Sequence, residues 1–111
     1  MNPDNDVINC IVLICKHLKS LRDAIELTQD DLAKIVGVTR QSIIGFEHQE
    51  RKLSRSILIS IITFFTLDYR SATICKNMGL YENNFVKSLG FSNELVEFIL
   101  DMQGRNKSEK N

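Results

Sequence analysis

The 111-residue chain has no net charge, because fourteen lysines and arginines balance fourteen aspartates and glutamates. It lacks the basic surplus that usually marks a phosphate-binding protein. The balance is uneven along the chain: between positions 51 and 76, Arg51, Lys52, Arg55, Arg70 and Lys76 face only Asp68, so a local positive face is expected. A disulfide framework is missing too. Three cysteines are an odd number, and no secretory signal precedes them, which points to a reducing cytoplasm. Cys10 and Cys15 cannot form a ligand pair on one helical face, since five helical residues turn the second by about 140°. His17 and His48 add no metal spacing, and neither a metal nor a cofactor is expected. The apolar runs 10–15 and 57–67 fall far short of the ~20 residues that cross a bilayer, so a soluble protein without membrane contact is expected. No nucleophile, base and orienting group stand at a recognisable spacing, and there is no phosphate-binding glycine loop. The expected function is binding rather than catalysis.

With 43% hydrophobic and 25% charged residues, the chain can build the core of one domain of about 100 to 150 residues. Val7, Ile11, Ile14, Leu18, Leu21 and Ile25 recur at spacings of three and four and predict a long first helix. Ile8, Val12 and Leu13 lie off that face, which suggests a second packed surface. Thr28-Gln29-Asp30-Asp31 reads as a capping box, with Asp where Glu or Gln is usual. The helix it opens carries Leu32, Ala33 and either Ile35 or Val36 inward and stops at Gly37. Thr39 then caps a third helix containing Ile43, Ile44 and Phe46. Ser54 caps a fourth through Leu67. Taken alone, Ile57, Ile59, Ile61, Ile62, Thr63, Phe64 and Phe65 resemble a buried strand, but the caps and the helical neighbours favour a helix. Further helices are expected over about 71–78, over about 82–89, and from the Ser92 cap to about Met102. Residues 104–111 hold no apolar side chain and are expected to be a disordered tail.

One ordered set of residues stands out: Leu21-Arg22 on the first helix, Thr28-Gln29 opening the second, Leu32-Ala33 inside it and Gly37 at the turn. Polar Thr39 to Ser42 then open the third helix, followed by Ile43 and Glu47. This set resembles the XRE-type family of Cro-like and phage-repressor-like helix-turn-helix proteins, and the resemblance covers about half the chain, residues 18–67. It implies an all-α fold, a compact helical bundle of the phage-repressor-like type with extra C-terminal helices. It also implies double-stranded DNA as the partner. Residues 1–70 would form the DNA-binding domain and 71–103 a C-terminal helical extension.

In such motifs the third helix enters the major groove N-terminus first, which makes Thr39, Arg40, Gln41 and Ser42 the expected base contacts. Arg40 suits guanine O6 and N7, and Gln41 suits adenine N6 and N7. The resemblance makes Thr28 and Gln29 phosphate contacts, at a helix end whose amides favour an anion. Gln49, Arg51 and Lys52 in the following loop are further phosphate contacts, opposed by Glu50. A structural salt bridge between Arg22 and Glu47 is implied as well. Two departures matter. Family members commonly offer a polar side chain where Gly45 stands, so readout is either shorter or relies on close backbone approach. Ile44 is apolar where an exposed polar residue is common, which fits packing better than contact with thymine methyls. His48 and Leu53 stand where the family often has Gly and Pro, which leaves the path of the loop open.

The C-terminal third is rich in apolar residues. Phe85, Leu89, Phe91, Leu95, Phe98 and Ile99 are the expected dimer interface, aided by Ile8 and Val12, with a plain extension of the core as the alternative. A twofold dimer would set two reading helices about 34 Å apart on a palindromic operator, as suits a transcriptional repressor. The alternative is a helix-turn-helix module that binds a protein partner, as an antitoxin or inhibitor does; the zero net charge and Ile44 favour it.

Overall fold

The computed structural model describes residues 3–109, with side chains from position 4 to position 104, and every regular element in that span is helical. Helix α1, Pro3–Ala24, is the central element and touches α3, α4, α5 and α6 as introduced below. Cys10, Ile14, Leu18 and Leu21 are fully buried along it, with Val7 and Cys15 nearly so. The cysteines thus act as small core hydrophobes. Burial pushes the Cys10 thiol up to about 12. Leu13 packs on the core, but Ile8 and Val12 are half exposed, so the second packed face expected around them is open in this chain.

Helix α2, Gln29–Val36, begins with the capping box: the Asp31 N–H donates to the Thr28 hydroxyl at 3.0 Å, and the Thr28 N–H donates to the Asp31 carboxylate at 3.1 Å. The Thr28 hydroxyl is also the main reason the Asp31 carboxyl lies below its usual range. Leu32, Ala33 and Val36 turn inward, while Ile35 faces solvent. The helix ends at Gly37, whose φ of 77° is left-handed. Helix α3, Arg40–Glu47, follows, capped by the Thr39 hydroxyl accepting the Ser42 N–H at 3.1 Å.

The ends of α1 and α3 close in one way. Glu26 and Gln49 adopt left-handed φ values of 56° and 58°. The Leu27 N–H then reaches the Arg22 carbonyl at 2.9 Å, and the Glu50 N–H reaches the Gly45 carbonyl at 2.8 Å, satisfying carbonyls the helices leave open.

Helix α4, Arg55–Thr66, starts from the Ser54 cap. Its buried residues Leu58, Ile61, Ile62 and Phe65 follow the three-and-four spacing of a helix, and this overrides the β-branched composition. Helix α5, Tyr69–Asn77, begins two residues earlier than expected because Asp68 caps it, accepting the Arg70 N–H at 2.9 Å. The expected helix over 82–89 is divided into a 3-10 turn at Leu80–Glu82 and helix α6, Asn84–Ser88. Asn83 makes the break: its side-chain oxygen accepts the Val86 N–H at 3.2 Å, and its amide donates to the Asp6 carbonyl at the start of α1 at 2.9 Å. Such a side chain competes with the helical backbone.

Helix α7 spans Asn93–Glu109, past the expected end at Met102 and through most of the expected tail. Ser92 caps it, accepting the Leu95 N–H at 3.1 Å. Beyond Met102, Gln103 holds the corner between α4 and α5: its amide donates to the Leu67 carbonyl at 2.6 Å, and its oxygen accepts the Tyr69 N–H. The last two positions of the expected tail, 110 and 111, lie outside the described residues.

The core is continuous from the first helix to the last. Cys75, Leu80, Tyr81, Val86 and Val96 belong to the same buried cluster as Leu18, Leu32 and Ile43. The Thr66 and Tyr81 hydroxyls meet at 2.8 Å inside it. Among the described residues no single helix is long and apolar enough to cross a membrane.

Candidate nucleic-acid interface

Behind the α2–α3 pair lies a buried ionic lock. The Arg22 Nε donates to Glu47 Oε2 at 2.6 Å and Nη2 to Oε1 at 3.1 Å, with the side chains 8% and 7% exposed. The remaining Arg22 nitrogen, Nη1, donates to the Leu27 carbonyl at 2.9 Å, and Gln29 Nε2 donates to Glu47 Oε1 at 3.1 Å. The lock therefore joins the end of α1, the start of α2 and the end of α3. Charges this far from water are tolerated only when so fully hydrogen-bonded. Sequence reasoning missed the third arm, Gln29, because its residue type fits a phosphate contact equally well.

On the outer side, Thr39, Arg40 and Gln41 are exposed and Ser42 is half exposed. Thr39 and Ser42 are occupied with each other, their hydroxyls 3.0 Å apart beside the capping bond. Arg40 joins Lys19, Thr28, Gln29, Asp23 and Asp30 around one open polar cleft, so the start of α2 and the start of α3 share a solvent face.

Arg51, expected as a phosphate contact, takes a position over α3 that the sequence did not disclose. Its Nη1 donates to Ser42 Oγ at 2.9 Å. Its stem lies so close over Gly45 that a Cβ there would stand 2.6 Å from Arg51 Cγ and 2.8 Å from Cδ. Gly45 is accordingly buried although it sits on a surface helix. One signal was available: a glycine inside so short a helix costs about 1 kcal/mol against alanine, and such a cost marks a close approach. The loop path that brings Arg51 there is set by left-handed Gln49 and by Leu53, which is buried.

The positive stretch narrows in three dimensions. Arg55 pairs with Asp4 at 3.9 Å, Arg70 with Asp68 at 2.9 Å, and Lys76 with Glu97. No ion pair among the described residues includes Arg40, Arg51 or Lys52. Lys19 and Lys34 are likewise outside these ion pairs, and Gln49 is exposed between Arg40 and Arg51 in sequence. Ile44 is half buried.

The expected dimer residues divide. Phe85, Leu89 and Phe91 already pack partly on the chain's own core, and Ile99 is half buried. Leu95 and Phe98 are 40% and 61% exposed, and Met102 beside them is 44% exposed. No cluster of metal-binding side chains occurs among the described residues.

Two short capped helices packed through a glycine turn, with a polar, cation-bearing start to the second, define a helix-turn-helix domain of the kind found in DNA-binding regulators. A family model described as helix-turn-helix matches residues 18–70, and this segment belongs to that XRE-type family. The chain is also similar to antitoxin PezA of Streptococcus pneumoniae serotype 4, at 35% identity over 57 residues. That match covers 51% of this chain and 36% of the relative, so the chain spans little more than a third of that protein's length. No solved structure matches the chain.

Proposed function

We propose that the chain is a sequence-specific double-stranded DNA-binding regulator, a cytoplasmic repressor that acts as a dimer on a palindromic operator. The observation that carries this reading is the free, exposed pair Arg40 and Gln41 on the first turn of α3, held in front of the Arg22–Glu47 lock. Arg40 reads guanine and Gln41 adenine, each good pair discriminating by about 1 to 3 kcal/mol. Gln49 and Lys52 anchor the phosphates, and so do Thr28 and Gln29 through the start of α2. Leu95, Phe98 and Met102 offer the apolar surface for the second copy.

The test is affinity measured on a selected operator and on random duplex. Arg40→Ala or Gln41→Ala should lose about 1 to 3 kcal/mol on the operator and little on random DNA. Equal losses on both DNAs would show that the helix only anchors.

A second reading, a helix-turn-helix module whose target is a protein, is favoured by one observation: the similar protein carries the name of an antitoxin. The zero net charge and the exposed apolar side chains of α7 suit it. Failure to shift any duplex at low salt, together with retention of a protein partner, would select it.

A further inference from the structure

We propose that Arg51, a loop residue, is itself a base-reading side chain, occupying the place on α3 that Gly45 leaves empty and recognising a guanine in the major groove. This rests on the DNA-binding reading above and extends it to a residue whose position in sequence suggests a phosphate contact.

Ser42 and Gly45 are three positions apart and therefore neighbours on one face of α3. The Arg51 stem covers Gly45, and its guanidinium bonds to Ser42 at 2.9 Å. The arginine is thereby laid along the same short helix that presents Arg40 and Gln41. A guanidinium has five N–H donors, so the bond to Ser42 leaves a donating edge for the O6 and N7 of guanine. No carboxylate among the described residues neutralises it.

A cation that serves only phosphate needs charge and reach, and it works without a fixed rotamer. Arg51 is fixed at both stem and head. That lowers the cost of ordering it against one base edge. Gly45 has its reason in the same geometry: any side chain there would collide with Arg51 Cγ and Cδ. The glycine and the loop arginine together do the work of one long polar side chain on the helix.

The experiment begins with selection of bound sequences from random duplex by the unaltered protein. Dissociation constants follow for that protein and for Arg51→Gln, Gly45→Ala and Lys52→Gln, on the selected operator and on random duplex across a salt series. Arg51→Gln should lose about five- to 150-fold on the operator, hardly change on random duplex, and tolerate replacement of one G·C pair in each half-site. Gly45→Ala displaces the Arg51 stem and should relax preference at that same base pair. Lys52→Gln should lose affinity on both duplexes alike, with the salt slope reduced by about one. If Arg51→Gln behaves as Lys52→Gln does, Arg51 is a phosphate contact and the proposal is overturned while the DNA-binding reading stands. If the unaltered protein selects no sequence, that reading and this proposal fall together, and this is known before any variant is made.

Discussion

Residues 18–54 and residues 69–104 close over parts of the same core, yet their helices are tied to one another differently. In the first region each helix start is set by a neighbouring hydroxyl, from Thr28, Thr39 and Ser54, and the helices are tied by the Arg22–Glu47–Gln29 lock. In the second region Leu80, Tyr81, Val86 and Val96 sink into the core, and long-range bonds from Asn83 and Gln103 set the corners. The outer surfaces differ accordingly. The first presents Arg40, Gln41, Arg51 and Lys52; the second presents Leu95, Phe98 and Met102. Polar bonds give a helix a defined orientation, whereas apolar burial gives it adhesion. Polar caps and buried apolar side chains occur in both regions, but among the described residues the buried ion pair lies in the first, the one that presents Arg40, Arg51 and Lys52.

The contrast can be broken most severely by removing the second region. Truncation after Asp68 takes away the buried Cys75, Leu80, Tyr81, Val86 and Val96, each large apolar side chain contributing about 1.5 to 3 kcal/mol, against a total stability of about 5 to 15 kcal/mol. The truncated chain should show no cooperative thermal transition by circular dichroism. A folded helix-turn-helix fragment with a sharp melt would show that the first region stands alone.

Glu47→Ala attacks the polar lock instead. It strands the buried Arg22, and by the behaviour of such pairs it should cost about 3 to 5 kcal/mol. Chemical denaturation reads this directly, and a variant melting within a degree or two of the parent would mean that the lock orients without stabilising.

Alkaline pH probes the packing of the second region on the first half of α1, where Cys75 of α5 and Cys10 of α1 are buried. Burial pushes both thiols up to about 12 from an ordinary 9.0. The unfolded chain loses these protons near pH 9 while the folded chain keeps them. Their contribution is therefore complete below pH 9 and is lost as pH rises toward 12, by up to about 1.4 kcal/mol per pH unit for each thiol. Denaturation midpoints between pH 8 and 10 should fall, and less steeply in a Cys10→Ala, Cys75→Ala double variant. Equal slopes would show that burial of these thiols does not carry the pH dependence.

The smallest effect concerns Gln49, held at a left-handed φ of 58° where a side chain costs about 1 kcal/mol. Gln49→Gly should raise stability by about that amount while weakening DNA binding, if the Gln49 side chain meets phosphate. A stability gain with unchanged affinity on every duplex would leave Gln49 a turn residue alone.

Legibility in the sequence followed the range of the interaction. Thr28 with Asp31, Gly37, Thr39 and Ser54 act within a few positions of themselves, so their caps were readable as short patterns. The α4 segment was readable because Leu58, Ile61, Ile62 and Phe65 keep helical spacing despite their strand-like neighbours. The break at Asn83 and the length of α7 were hidden for the opposite reason. Their partners, the Asp6 and Leu67 carbonyls, lie 77 and 36 positions away. Among the candidate site residues, Arg40 and Gln41 could be placed from the helix start alone. Arg51 could not, since its position over α3 depends on a loop whose turn residue is a glutamine in a conformation typical of glycine.

The close approach of Arg51 to Gly45 also constrains how this chain can change over generations. Mutations at touching positions are not independent, and here the order of events matters. A side chain at position 45 meets no such obstacle once position 51 has shortened, whereas in the reverse order its Cβ would stand 2.6 Å from Arg51 Cγ and must displace the arginine stem. A lineage that shortens Arg51 first is free to fill position 45 with a new side chain, while one that fills position 45 first loses the seat of Arg51 over α3. Positions 45 and 51 are thus coupled, and the order of change with fewer obstacles runs from the loop to the helix.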